Sequence, residues 1–76
     1  MEGFSSDAFA RRLKALREER GIDQEQLANA TGISKAAIAR YETGRSLPRI
    51  DTAFMLAEAL RCSIDVLTGH VPLITT

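Results

Sequence analysis

The chain has 76 residues, the length of one small domain, and we expect residues 1–76 to form a single domain. Its ten lysines and arginines balance ten aspartates and glutamates, so the net charge of zero gives no sign of a nucleic-acid partner. A single cysteine excludes an internal disulfide, and no run approaches the roughly 20 apolar residues of a membrane span, which predicts a cytoplasmic protein without a membrane partner.

Helix signals recur at short intervals from the start of the chain. Phe9, Leu13 and Leu16 recur at helical spacing, which predicts a first helix that ends at Gly21. Asp23 is the expected N-cap of a second helix of about two turns. Both helices are short, and each offers one apolar face to a core.

The second half of the chain continues this pattern. Ser34 is placed to cap a third helix, which Gly44 ends. Pro48 requires a loop, and a fourth helix follows from about Ile50. Ser63 is placed to cap a short fifth helix. No strand alternation is present, so we expect an all-α fold of five short helices around one core.

Helices two and three are joined by only about three residues. Ala28 lies one turn before this link, Gly32 lies inside it, and Ile33 and Ile38 flank the start of the next helix. A tight turn between crossing helices needs a small side chain, a glycine with positive φ and apolar residues that hold the crossing angle. The pattern is typical of a helix-turn-helix, and the alternative is a generic helical hairpin in a small bundle.

Most of the chain resembles one known family. The segment LREERGIDQEQLANATGISKAAIARYETGRSLP, followed by IDTAFMLAEALRCSIDVL, resembles the xenobiotic-response-element family of phage repressor and Cro-type regulators. The resemblance covers about residues 8–68 and leaves 69–76 as an apolar tail. It implies a compact, lambda-repressor-like DNA-binding domain in which helices two and three form the helix-turn-helix. Members are often dimeric and insert the helix after the turn into the major groove.

The third helix has a predicted outer face that carries little chemistry. Lys35, Ala36, Ala39 and Arg40 share this face, and residues 34–49 hold four basic side chains against one glutamate, a net charge of +3. Small side chains let a helix enter a groove about 12 Å wide, where lysine or arginine can donate to guanine. By resemblance, Lys35, Ala36 and Arg40 match the family's base-contacting positions. The alternative is a solvated surface face.

Four further residues match positions that hold relatives on the DNA backbone. By resemblance, Gln24 at the start of helix two meets a phosphate, and Ser34, Arg45 and Arg49 are expected to contact others. Helix N-termini attract phosphate through free N–H groups and the helix dipole. Asp23 departs from the Ser, Thr or Asn usual in relatives, and its charge is expected to weaken the neighbouring contact.

Arg17 and Glu42 are a second pair implied by the resemblance. Relatives often join these positions in a largely buried salt bridge between the first and third helices. We therefore expect Glu42 to be structural rather than to repel DNA. The alternative is that both are ordinary surface charges.

The carboxyl-terminal part of the chain has more apolar residues than one core-facing stripe requires. Large exposed apolar patches on a small protein usually mark an interface. We expect a two-fold dimer interface there, formed by Phe54, Met55, Val66, Val71, Leu73 and Ile74. The alternative is that the tail packs on the core of its own chain.

The sequence therefore predicts a sequence-specific, double-stranded-DNA-binding transcriptional regulator that binds an inverted-repeat operator as a homodimer. An alternative is a protein-interaction module that keeps the fold without DNA binding. Restriction-modification controllers, prophage repressors and antitoxins share the layout and are not separated by the sequence. The only histidine, His70, has no clustered partner, so we expect no enzyme activity, metal, cofactor or small-molecule substrate.

Overall fold

A computed structural model of the chain describes residues 6–68. Within that range the chain forms five α-helices: α1 Ser6–Glu19, α2 Gln24–Thr31, α3 Lys35–Glu42, α4 Ile50–Ala59 and α5 Ile64–Thr68. The all-α, five-helix fold expected from the sequence is confirmed. None of these helices is long and apolar enough to cross a bilayer.

Four of the helices end with the chain turning through the left-handed region, and Gly32 makes this turn after α2 with φ of +79°. Gly21 after α1 and Gly44 after α3 have φ of +71° and +77°, as expected of glycines at this position. Arg61 performs the same turn after α4 with φ of +59°, and the Cys62 N–H donates to the Ala57 carbonyl at 3.0 Å. The end of α4 therefore places a non-glycine residue in a conformation that glycine adopts more easily.

Each of the five helices contributes at least one fully buried apolar side chain to the core. Its members are Phe9, Leu13, Leu27, Ile38, Leu56, Ala57, Leu60 and Leu67. The two helices on either side of the short turn contribute one fully buried residue each, Leu27 from α2 and Ile38 from α3. Burying a leucine or isoleucine side chain contributes about 1.5–3 kcal/mol, so α2 and α3 need further attachments to the rest of the domain.

A side-chain hydrogen bond joins the ends of two other helices that are distant in sequence. The Arg20 Nε donates to the Leu60 carbonyl at 2.5 Å, which gives a partner to a carbonyl at the end of α4. This contact spans 40 residues of sequence. It fixes the end of α1 against the end of α4.

Candidate nucleic-acid interface

The link between α2 and α3 is a three-residue turn, residues 32–34. Gly32 has φ of +79°, and its N–H donates to the Ala28 carbonyl at 2.8 Å, which closes α2. Ser34 is extended, and its hydroxyl accepts from the Ala37 N–H at 3.0 Å, which opens α3. A Cβ at residue 32 would meet nothing within 4 Å, so the backbone angle is the reason for glycine here.

The inner face of α3 is fixed to α1 by two side chains. Ile38 is fully buried. The Tyr41 ring packs edge-on against Phe9 of α1, with ring centroids 6.4 Å apart and planes at 76°. Aromatic pairs in this geometry are stabilising beyond the area that they bury. These contacts determine which side of α3 faces the solvent.

The outer face of α3 presents the residues expected to contact bases. Lys35, Ala36 and Arg40 are exposed. Ala39, which was expected to share this face, is only half-buried and therefore lies at its edge. The exposed surface of α3 thus consists of two cations separated by a methyl group.

A buried carboxylate holds the end of α3 to both α1 and α2. Glu42 accepts from Arg17 Nε at 2.6 Å, from Arg17 Nη2 at 3.0 Å and from Gln24 Nε2 at 3.0 Å. A further guanidinium nitrogen of Arg17 donates to the Ile22 carbonyl at 2.9 Å. The side chain of Glu42 is 3% exposed and that of Arg17 is 10% exposed. The pair that the resemblance implies is therefore present, buried and bidentate.

The ion pair with Glu42 and the burial of the side chain shift the pKa of Arg17 in opposite directions. The hydrogen bond to Glu42 raises the pKa of Arg17, whereas burial lowers it, and the hydrogen bond has the larger effect. Within residues 6–68, no buried side-chain nitrogen or oxygen lacks a hydrogen-bond partner. The ion pair is thus fully satisfied, which is the condition under which buried charge is tolerated.

The amino-terminal end of α2 is capped by side chains of the protein itself. Asp23 Oδ1 accepts from the Gln26 N–H at 2.8 Å, and the Gln26 side chain accepts from the Asp23 N–H at 2.8 Å, which makes a capping box. Gln24, the first residue of α2, gives one amide hydrogen to Glu42. The sequence did not indicate this last contact, because the two residues lie 18 positions apart.

The other residues expected to contact phosphate are exposed. Ser34 is exposed, and its oxygen accepts a hydrogen bond while its own hydrogen stays available. Arg45 and Arg49 are exposed on the segment between α3 and α4. The Arg49 Nε lies 3.9 Å from a carboxylate oxygen of Asp51, a loose surface contact.

The three described residues that were expected at a dimer interface line three different grooves. Phe54 lines a groove between α4 and α5, Met55 lines one between α2 and α4, and Val66 lines one between α1 and α5. Phe54 and Met55 are 54% and 39% exposed. The remaining members of the expected interface, Val71, Leu73 and Ile74, lie outside the described residues, as does His70.

Two further exposed apolar residues were not among the expected interface residues. Ile50 is 68% exposed and stands one turn before Phe54 on α4, and Leu47 is 42% exposed in the preceding loop. The spacing of four residues between Ile50 and Phe54 on one helix is the signal that could have found Ile50. Ile50 extends the apolar surface around Phe54 toward the start of α4.

Comparison with known proteins finds a matching family and relatives that are named as transcriptional regulators. A family model described as helix-turn-helix, HTH_3, matches residues 13–67. The HTH-type transcriptional repressor RghR of Bacillus subtilis is 46% identical over 56 residues, which cover 72% of this chain and 42% of that protein. The cryptic phage CTXphi transcriptional repressor RstR of Vibrio cholerae is 36% identical over 50 residues, which cover 66% of this chain and 45% of that protein. The chain thus spans less than half the length of these curated relatives.

Two solved structures with the same fold match this chain over most of their own length. The restriction-modification controller protein C.AhdI from Aeromonas hydrophila has a TM-score of 0.79 and 29% identity, covering 82% of this chain and 94% of that chain. The P22 c2 repressor protein, solved in complex with a synthetic operator, has a TM-score of 0.77 and 30% identity, covering 83% of this chain and 96% of that chain.

Proposed function

This chain belongs to the HTH_3 helix-turn-helix family, and from that premise we propose that it is the DNA-binding domain of a transcriptional regulator, with α3 in the major groove. The match confirms the resemblance to the phage repressor and Cro-type regulators. The curated relatives named above are transcriptional regulators, which agrees with the expectation that the chain is not an enzyme. A regulator of this kind works in the cytoplasm, where bacterial and phage DNA is transcribed.

The observation that carries this proposal is the exposed face of α3. Lys35 and Arg40 can donate to the O6 and N7 atoms of guanine, and the Ala36 methyl can meet a thymine methyl. The small residue between the two cations permits close approach to the base edges. The buried Glu42 contact holds the helix rigidly while its outer face remains free.

Phosphate contacts position the domain in this proposal without reading the sequence. Ser34 donates its hydroxyl hydrogen to one phosphate, and Gln24 donates the amide hydrogen that Glu42 leaves free to another. Arg45 and Arg49 follow α3 and meet the backbone farther along the groove. These contacts supply salt-dependent affinity for any sequence.

We assign dimer formation to the surface around Phe54. A two-fold interface needs a projecting group and a recess on the same face, since each copy must supply both. Phe54 projects next to a groove lined by Ala57, Cys62 and Ile64, so the phenyl ring of one copy can enter the groove of the other. Two copies then place their α3 helices on half-sites about 34–36 Å apart, or a multiple of this, in an inverted repeat.

Selection from random duplex DNA tests the DNA-binding function. We expect enrichment of an inverted repeat, with Arg40→Ala losing about 1–3 kcal/mol and relaxing preference at one position per half-site. Arg45→Ala should weaken all sequences alike and reduce the salt slope by about one. Lys14→Ala removes an exposed positive charge from α1 and serves as the matched control. Absence of enrichment even at low salt would instead favour a protein-interaction module.

Sedimentation of three single variants identifies the dimer surface. Phe54→Glu, Met55→Glu and Val66→Glu each place a charge in a different groove. We expect only Phe54→Glu to shift the protein toward the monomer. A dimer that persists in Phe54→Glu contradicts the assignment, and loss of the dimer in one of the other two moves the interface to that groove.

A further inference from the structure

Two exposed carboxylates lie on the face of the domain that is proposed to meet DNA. Asp23 and Glu25 line one cleft together with Gln24, Lys35 and Arg17. Gln24 and Lys35 are a proposed phosphate contact and a proposed base contact. A DNA backbone that reaches these two residues therefore comes close to both carboxylates.

The charges in this cleft do not favour a phosphate. The positive charge of Arg17 is matched by Glu42, which accepts two of its hydrogen bonds. Lys35 supplies one remaining positive charge against the negative charges of Asp23 and Glu25. The net balance of the cleft is thus one negative charge.

The helix dipole of α2 does not correct this balance. An N-terminus attracts an external anion when its N–H groups are free. Here the Asp23 carboxylate already accepts from the Gln26 N–H at 2.8 Å and so occupies the position of that anion. Glu25 adds a second negative charge in the first turn of the same helix.

We propose that Asp23 and Glu25 oppose the phosphate backbone and weaken binding to DNA of every sequence. The inference rests on the proposed DNA-binding function and names two residues that set its affinity. In water, the Coulomb energy between two unit charges about 6 Å apart corresponds to an approximately threefold change in affinity. Occupancy of a site then depends more strongly on base contacts and on the second copy of the domain than on the backbone contact at α2.

Charge-neutralising variants test this assignment. Asp23→Asn retains an oxygen that can cap α2, so the helix is preserved while the charge is lost. We expect Asp23→Asn and Glu25→Gln each to raise affinity for both a selected operator and an unrelated duplex about threefold at low salt. The gain should shrink as salt rises. Asp65→Asn on α5 removes the same charge from a helix that packs on α1 and α4, and it serves as the control.

Two results would overturn the repulsive role of Asp23 and Glu25, and a third would overturn the DNA-binding function on which it rests. Equal affinities for parent, Asp23→Asn and Glu25→Gln contradict the repulsive role while leaving DNA binding intact. A gain that is confined to one sequence contradicts it too, because that outcome assigns base recognition to the altered residue. Failure of the parent and all variants to bind any duplex at low salt refutes the proposed DNA-binding function itself.

Discussion

Removing the Glu42 carboxylate is expected to destabilise the domain more than any surface substitution. In Glu42→Ala, Arg17 keeps only its bond to the Ile22 carbonyl and loses two acceptors. The Gln24 amide loses its acceptor as well. The arginine side chain is 10% exposed, so water cannot fully replace what is lost. Breaking one partner of a buried pair costs about 3–5 kcal/mol.

This cost is large relative to the expected stability of the whole domain. At about 0.05–0.15 kcal/mol per residue, a chain of 76 residues has a free energy of unfolding of roughly 4–11 kcal/mol. Urea unfolding followed by far-ultraviolet circular dichroism measures the change. We expect the midpoint to fall steeply while the slope with denaturant stays constant.

An exposed ion pair in the same chain provides the control. Arg20 and Glu19 approach to 2.9 Å, but the Glu19 side chain is 69% exposed. Glu19→Ala should therefore cost less than about 1 kcal/mol. If Glu42→Ala costs no more than Glu19→Ala, the buried pair does not hold α3 as argued. Replacing both Arg17 and Glu42 by apolar residues should recover much of the loss, because no charge then remains buried.

Three further predictions concern the helix ends and the cysteine. A Cβ at residue 32 meets no steric obstacle, so Gly32→Ala should lower the free energy of unfolding by about 1–2 kcal/mol through the left-handed backbone angle alone. An unchanged free energy of unfolding would refute this account. Arg61→Gly should leave the free energy of unfolding unchanged or raise it by up to about 1 kcal/mol, and a clear loss contradicts the assignment. Burial raises the pKa of the Cys62 thiol despite the opposing charge of Arg20, so the folded chain retains that proton more strongly than the unfolded chain. Stability should therefore fall as pH rises above about 8.5, and Cys62→Ala should show a smaller fall in parallel urea titrations.

Local sequence signals accounted for the helices because each helix end has its own chemistry. Asp23 and Ser34 cap α2 and α3 as expected, and Gly21 and Gly44 end α1 and α3. The end of α4 was different, because Arg61 adopts a positive φ that its residue type does not indicate. A helix end was therefore predictable where the residue type there favours the backbone conformation that it adopts.

Contacts across the sequence were predictable only through the family resemblance. The pairing of Arg17 with Glu42 spans 25 positions and was implied by relatives rather than by spacing. The bond from Gln24 to Glu42 was missed, since nothing local distinguishes this glutamine from a free one. Similarly, Phe54 and Met55 are adjacent in sequence but face different grooves, because neighbouring residues on a helix point about 100° apart.

Because its helices are short, the domain is expected to resist proteolysis better when it is bound to DNA than when it is free. The longest described helix, α1, has 14 residues and α5 has five, and isolated helices below about 12–15 residues are marginal in water. The face of α3 therefore exists only while the whole domain is folded. A duplex present at 100 times its dissociation constant adds about 2.7 kcal/mol to the free energy of unfolding. Proteases that attack the unfolded chain would then remove unbound copies first and spare those that occupy their sites.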